Sequence, residues 1–257
     1  MLRRREQIEL KSLDEIKLMR EAGLVVAHGL SAMRAAVAPG VSTADLDAIA
    51  RDVLAAEGAT SSFLNYGFPP FPAVICSSVN DEVVHGIPSR DRVLRDGDLV
   101  GLDFGVCCDG YFGDAARTVS VGRTSPEAQR LMDVTAAALA AGIEAIRPGA
   151  HIADISGAIQ DVAEGAGFSL VREFVGHGIG RSLHEDPQVP NYRTGTRGVK
   201  LSEGLVLAIE PMVNAGGPEV YVKDDGWTAA TRDGRLSAHF EHSVAVTANG
   251  PYILSQP

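Results

Sequence analysis

The chain opens on a helical rhythm. Leu13, Ile16, Leu18, Met19, Ala22, Val25, Val26, Leu30 and Met33 recur at the spacing of one helix face. Ser12 and Glu15 precede them as a capping box, in which the hydroxyl caps an amide and the carboxylate reaches back. Pro39-Gly40 ends that helix. A second is predicted from Ser42 or Thr43 through Leu46, Ile49, Ala50, Val53 and Leu54 to a terminating Gly58. From Ser61 to Pro72 the periodicity vanishes, and the stretch reads as a loop carrying Phe63, Tyr66, Phe68 and Phe71. Apolar and alternating runs then predict strands over 73–78, 99–107 and 111–121, the last two joined by the hairpin signal Asp109-Gly110. Helical spacing returns after Ser125, with Pro126 at the first helical position, and runs to about Ile146. Another helix follows Pro148-Gly149 and reaches about Gly165. Strand-like runs close the chain over 170–175, 205–214, 227–231 and 238–247, with Asp233-Gly234 turning between the last two and surface connections at 193–200 and 216–219.

The order of elements repeats, and so do the residues at the junctions. Pro39-Gly40-Val41-Ser42-Thr43-Ala44-Asp45-Leu46 aligns with Pro148-Gly149-Ala150-His151-Ile152-Ala153-Asp154-Ile155. The same offset pairs Asp52-Val53 with Asp161-Val162 and Gly58 with Gly167. This register predicts a duplicated helix–helix–strands unit, with halves at about 12–123 and 124–254. No linker-like stretch divides them, so 1–257 is expected to form a single domain. Two such copies predict an α+β fold with helices on one side of a sheet.

Composition narrows the function classes. With 257 residues, 45% of them hydrophobic, the chain can bury a sizeable core. A net charge of −10 opposes binding to DNA or an anionic membrane. Arg3-Arg4-Arg5 is a small basic exception, read as a solvated terminus, with contact to a polyanion such as ribosomal RNA as the alternative. No apolar run follows it, so no secretory signal is expected, and no stretch has the length of a membrane span. Cys76, Cys107 and Cys108, three in number, fit reduced thiols and a cytoplasmic protein. Adjacent on a strand, Cys107 and Cys108 point to opposite faces, which argues against chelation by that pair.

The chemistry gathers around Gly176-His177-Gly178-Ile179-Gly180-Arg181-Ser182-Leu183-His184-Glu185-Asp186-Pro187. The glycines discourage a helix and allow close approach of a ligand. His177 and His184 are too far apart in sequence for a helical zinc pair. Four acids sit in runs that should be buried: Asp103 and Asp114 in the first half, Glu210 and Glu241 in the second. An unpaired buried carboxylate costs several kcal/mol, so a cation is the simplest way to gather all four. With His177 they form an oxygen-rich set that suits Mn, Fe, Co or Zn in a reactive rather than a structural role. Five side chains are too many for one open ion and about right for two sharing bridging carboxylates, roughly 3.5–4 Å apart.

Asp103, Asp114, His177, Glu210 and Glu241 resemble the Asp-Asp-His-Glu-Glu ligand set of the methionine aminopeptidases, type I, of the pita-bread fold. Five further strings carry the likeness: Val83-Val84-His85-Gly86-Ile87-Pro88, Gly176-His177-Gly178-Ile179-Gly180-Arg181, Ile209-Glu210-Pro211-Met212-Val213-Asn214, Asp225-Gly226-Trp227-Thr228 and Glu241-His242. It extends from about Ile8 to Leu254. The segment between His184 and Glu210 is too short for the helical insertion of the type II form.

The resemblance implies a dinuclear-metal aminopeptidase that removes the N-terminal methionine of nascent polypeptides when the second residue is small. It implies that Asp114 and Glu241 bridge two divalent ions (Co, Mn, Fe or Zn), with Asp103 completing one and His177 with Glu210 the other. His85 and His184 match outer histidines that contact the peptide and stabilise its tetrahedral intermediate, and Glu210 is the general base toward a metal-bound water, the nucleophile. For the methionine pocket, Cys76, Trp227, Tyr66 and Phe71 supply apolar, polarisable walls, with Phe68 competing for the place of Phe71. Leu183 stands where an aromatic is common, and Gly101 where an asparagine is common. A monomer is expected, with nascent N-termini as partners and the ribosome as a candidate contact. Two rival readings remain: a proline-directed aminopeptidase or prolidase of the same fold, normally preceded by a large N-terminal domain, and a metal-free binding module.

Overall fold

The computed structural model describes residues 8–257, so Arg3 to Arg5 lie outside the described residues. The first helix, α1 (Leu13–Ala36), starts where the capping box places it. Ser12 N donates to Glu15 Oε2 at 2.8 Å and Glu15 N to Ser12 Oγ at 3.3 Å. Helix α2 (Thr43–Glu57) begins on Ser42 and ends at Gly58, which is left-handed with φ 65°. Short β1 (Thr60–Ser61), β2 (Cys76–Val79) and β3 (Glu82–Val84) lead into the long hairpin of β4 (Leu99–Cys108) and β5 (Tyr111–Ser120). Asp109 (φ 49°) and Gly110 (φ 79°) turn that hairpin, both in the left-handed region a tight two-residue loop requires.

The second half repeats the plan with α3 (Pro126–Glu144) and α4 (Ile152–Gly165). Its junction copies the first: Gly40 and Gly149 have φ of 93° and 89°. Asp45 accepts from Ser42 N at 2.9 Å and Asp154 from His151 N at 2.7 Å. Ten strands complete the chain: β6 (Ser169–Leu170), β7 (Gly176–Gly178), β8 (Glu185–Val189), β9 (Val206–Ile209), β10 (Met212–Asn214), β11 (Val220–Val222), β12 (Ala229–Thr231), β13 (Ser237–His239), β14 (His242–Thr247) and β15 (Gly250–Ile253). Every ladder is antiparallel.

Period two along the strands decides which residues meet the helices. In β4, Val100, Leu102, Phe104 and Val106 join α1 and α2 in one core, leaving Gly101, Asp103 and Gly105 on the opposite face. In the second half Leu207, Ile209, Val244 and Val246 pack under α3 and α4. Helices thus cover one face of the strands, and the carboxylates project from the other.

Two predicted runs divide in the structure. The 205–214 run splits at Glu210-Pro211 between β9 and β10, and the 238–247 run splits at Phe240-Glu241 between β13 and β14. Proline has no amide to give a ladder, and each break falls at one of the acids. The 170–175 run keeps strand pairing only at its start. The strands form four sheets, and the two largest meet along β5 and β14. There Glu241 N donates to Ala116 O at 2.9 Å. Ser243 Oγ donates to Asp114 O at 2.8 Å and lies 3.1 Å from Asp114 N. Thr118 Oγ1 makes the matching exchange with the backbone of His239. Hydroxyls here stand in for ladder bonds and set Asp114 beside Glu241. No helix among the described residues is long and apolar enough to cross a membrane.

The capping box yields a test of the fold. Hydrogen bonds from Ser12 and then Tyr111 hold the Glu15 carboxyl down at about 2, against an ordinary 4.5. Its charge therefore stabilises the fold above about pH 4.5, and that contribution is lost as pH falls through about 2. Glu15→Gln is expected to lower Tm by a few degrees at pH 7, with the gap from the unaltered protein closing as pH approaches 2. A gap independent of pH contradicts the assignment.

Candidate metal centre

The face opposite the helices holds a cavity. Its lining includes Asp103, Asp114, His177, Glu210 and Glu241, the outer His85 and His184, and Cys76, Tyr66, Phe71 and Trp227. The five expected ligands, the two outer histidines and every candidate pocket residue except Phe68 meet in this one place.

Each is delivered by a different piece of the fold. Asp103 projects from β4 opposite Cys76 of β2, and Asp114 from β5. His177 sits in the middle of β7, between β8 and β9. Gly178 permits that position, because a Cβ there would overlap the Asp186 carbonyl. Glu210 and Glu241 occupy the two strand breaks. His85 has φ 60°, a left-handed backbone costly for a residue with a Cβ, and its ring meets Phe174 edge-on at 5.3 Å.

Ligand atoms of Asp114, His177 and Glu241 lie within 4.8 Å of one another. Asp114 Oδ1, Asp103 Oδ1 and Glu241 Oε1 are buried with no hydrogen-bond partner among the described residues. Burial first, then mutual repulsion, pushes the Asp103 and Glu241 carboxyls far above their ordinary range, and Asp114 follows through burial and the charge of Glu210. Burial raises Glu210 to about 8. These groups need positive charge among them to ionise together.

His177 fits the same demand. Its Nδ1 lies 2.9 Å from the Gly178 carbonyl, an acceptor only, so Nδ1 carries the proton and Nε2 presents a lone pair. Burial lowers its pKa to about 3, so the ring is neutral. Nε2 stands 3.5 Å from Glu210 Oε1. A lone pair facing a carboxylate oxygen is repulsive, and a divalent cation between them makes both favourable. The donor set, the orphaned oxygens and the burial all fit divalent cations.

Around this floor the walls are apolar. Phe71 is 2% exposed and lies edge-on to Trp227 at 5.2 Å, whereas Phe68 is 96% exposed, so Phe71 and not Phe68 lines the cavity. Leu183 is buried in the wall. Burial, then the charge of Asp103, raises the Cys76 thiol and keeps it protonated. Tyr66 Oη lies 2.7 Å from His184 Nδ1. Burial first lowers His85 to about 4, so it is neutral at pH 7. A Cβ at Gly101 meets nothing closer than 3.5 Å, so the missing side chain leaves the strand pairing beside Asp103 intact.

Sequence reasoning missed His239. It is buried, with Nε2 unpartnered and 3.5 Å from Glu210 Oε2, so two imidazoles flank the Glu210 carboxylate. Its position two residues before Glu241 was the available signal. Phe63, Val84 and Phe174 were also missed as lining residues. Phe63 and Phe174 reach it from loops and Val84 from β3, through long-range packing that no local pattern reports.

The profile of metallopeptidase family M24 matches residues 17–248. The chain belongs to metallopeptidase family M24. A "Methionine aminopeptidase" of Clostridium perfringens is 50% identical over 96% of this chain and 98% of its own length. "Methionine aminopeptidase 1" of Mycobacterium tuberculosis is 46% identical over 99% and 97%. The methionine aminopeptidase structure from Thermotoga maritima superposes with a TM-score of 0.94 at 43% identity, covering 98% of this chain and all of that one. Within M24, then, the chain stands with the methionine aminopeptidases. The prolidase of Pyrococcus furiosus, at 21% identity and TM-score 0.75, shares the pita-bread fold over 65% of its length.

The raised carboxyls make cation binding compete with protons. Affinity for Mn(II) should rise as pH is raised towards about 8, with protons released on binding. Calorimetric titration of metal-free protein in buffers of different ionisation enthalpy measures this. Binding that is independent of pH and releases no protons contradicts the buried-carboxyl account.

Proposed function

We propose that this M24 enzyme removes the N-terminal methionine of nascent polypeptides whose second residue is small, with two divalent ions held by Asp103, Asp114, His177, Glu210 and Glu241. The observation that carries the reading is one cavity with a floor of carboxylates and a neutral imidazole under walls of Phe71, Trp227, Tyr66 and Cys76. Asp114 and Glu241, set side by side at the meeting of β5 and β14, would be shared between the ions, with Asp103 on one side and His177 with Glu210 on the other as the remaining ligands. When bound, the ions supply positive charge that acidifies a water towards neutral pH and offsets negative charge on the carbonyl oxygen. The oxygen-rich donor set with one imidazole suits Co, Mn, Fe and Zn alike.

The chain's own groups do the rest. Glu210 accepts the proton of the attacking water and passes it towards the leaving amine, with His177 and His239 on either side of its carboxylate. His85 and His184 are neutral, so they give hydrogen bonds rather than charge to the peptide and its developing oxyanion. The Tyr66 hydroxyl engages His184 Nδ1 and leaves Nε2 for the substrate. The aromatic walls exclude water and hold a thioether side chain, and crowding beyond it favours a small second residue. Residues 1–257 act as one monomeric catalytic domain built of halves 12–123 and 124–254. It works in the cytoplasm on new N-termini, with the ribosome as a candidate contact.

Two sets of variants test this. Asp103→Ala, His177→Ala and Glu241→Ala should abolish turnover of Met-Ala peptides while far-ultraviolet circular dichroism stays unchanged. Met-Leu and Xaa-Pro peptides should be poor substrates of the unaltered enzyme, and preference for Xaa-Pro contradicts the reading. Phe71→Ala should lower kcat/KM for Met-Ala by about two- to tenfold, the size of a lost sulfur–aromatic contact of about 0.3–1.5 kcal/mol. Phe68→Ala should leave it unchanged. Full turnover in metal-loaded Glu241→Ala removes the bridging assignment.

A further inference from the structure

Lys11 stands well outside the cavity, yet its side chain is completely buried. A buried ammonium is expensive unless well paired. Its Nζ lies 2.7 Å from Glu185 Oε2, with Glu9 Oε2 at 3.6 Å as a looser neighbour. Glu185 immediately follows His184. Its other oxygen accepts from Arg181 N at 2.7 Å and Ser182 N at 3.1 Å, the amides of the turn leading into His184.

The surroundings are shaped around this lysine. Lys11 N donates to Gly204 O at 2.6 Å. A Cβ on Gly180 would overlap the Lys11 Cε, and one on Gly204 would crowd the Lys11 backbone. Gly180 O also accepts from Phe112 N at 2.8 Å, which ties the same loop to β5, the strand of Asp114. The loop from Ile179 to His184 therefore joins the nitrogen ligand on β7 to a substrate-facing imidazole, and Glu185 fastens its far end. His177 and His184 ring centres are 4.3 Å apart, so a small shift of this loop moves His184 against the metal floor.

We infer that Lys11 is a positioning residue for His184: it anchors Glu185, which in turn holds the 181–184 turn at the working distance from His177. Resting on the reading of His184 given above, this adds a residue remote from the substrate to the machinery. The rim contact of Arg181 with Glu15 at 3.1 Å differs, since Arg181 is 57% exposed and such a pair contributes little.

A double-mutant cycle with hydrogen exchange tests it. Lys11→Met should speed exchange of the Arg181 and Ser182 amides by about tenfold or more while helix α3 is unaffected, because local opening and not global stability has changed. The same variant should lower kcat/KM for a Met-Ala peptide by about tenfold, and by less than about twofold in a His184→Ala background, because its effect passes through His184. Equal losses in both backgrounds show a merely structural lysine and overturn the inference. So does unchanged turnover in Lys11→Met when His184→Ala itself is impaired. An unimpaired His184→Ala instead overturns the role of His184, and the exchange result then stands alone on the anchor. Glu185→Gln removes the partner charge and should behave as Lys11→Met does, which serves if that variant does not fold.

Discussion

The structure depends on mutual repulsion among Asp103, Asp114, Glu210 and Glu241. Four carboxylates are brought together out of water, where burial first and then neighbouring charge push Asp103, Asp114 and Glu241 far above the carboxylate range, burial raises Glu210, and oxygens of Asp103, Asp114 and Glu241 are left without partners. A hydrophobic core would never select such an arrangement, and it contributes nothing to stability by itself. It persists because the strands around it are pinned elsewhere. Two helix pairs clamp the opposite face through Phe104, Leu102, Leu207 and Val244, and the hydroxyls of Ser243 and Thr118 fix where β5 meets β14 and β13 respectively. Strain at the site is held by packing remote from it.

The strand breaks follow from the same constraint. A residue inside a continuous ladder points either into the helix-covered core or away from it. Glu210 and Glu241 instead lie at interruptions, each just outside the strand pairing that flanks it, and their side chains converge on Asp114. Asp103 and Asp114 come from the strands that follow α2, and Glu210 and Glu241 from those that follow α4, so the site draws on both runs of strands. His177 adds a neutral nitrogen, its tautomer set by the Gly178 carbonyl.

Much of this was legible in the residues. The capping box at Ser12, the helix start at Ser42, the Asp109-Gly110 turn and the period-two alternation of β4 are local signals, and the structure follows them closely. The acids were legible because a carboxylate amid Leu, Val and Ile has few explanations. The breaks at Glu210-Pro211 and Phe240-Glu241 were not, since an apolar run says nothing about which ladder each end will join. Strand β8, Glu185–Val189, is polar and contains a proline, so only its pairing with β7 reveals it. His239 and Lys11 escaped because their significance lies in a carboxylate distant in sequence. Long-range pairing decides such cases, and local pattern does not carry it.

The proposed role of the acidic floor is to hold two cations. The direct measurement is a crystal structure of protein loaded with Mn(II), with anomalous data collected on both sides of the metal edge. Two anomalous peaks among Asp103, Asp114, His177, Glu210 and Glu241, with Asp114 and Glu241 touching both, are the expected result. A fully loaded crystal with no peak there, or with metal bound only elsewhere, would contradict it.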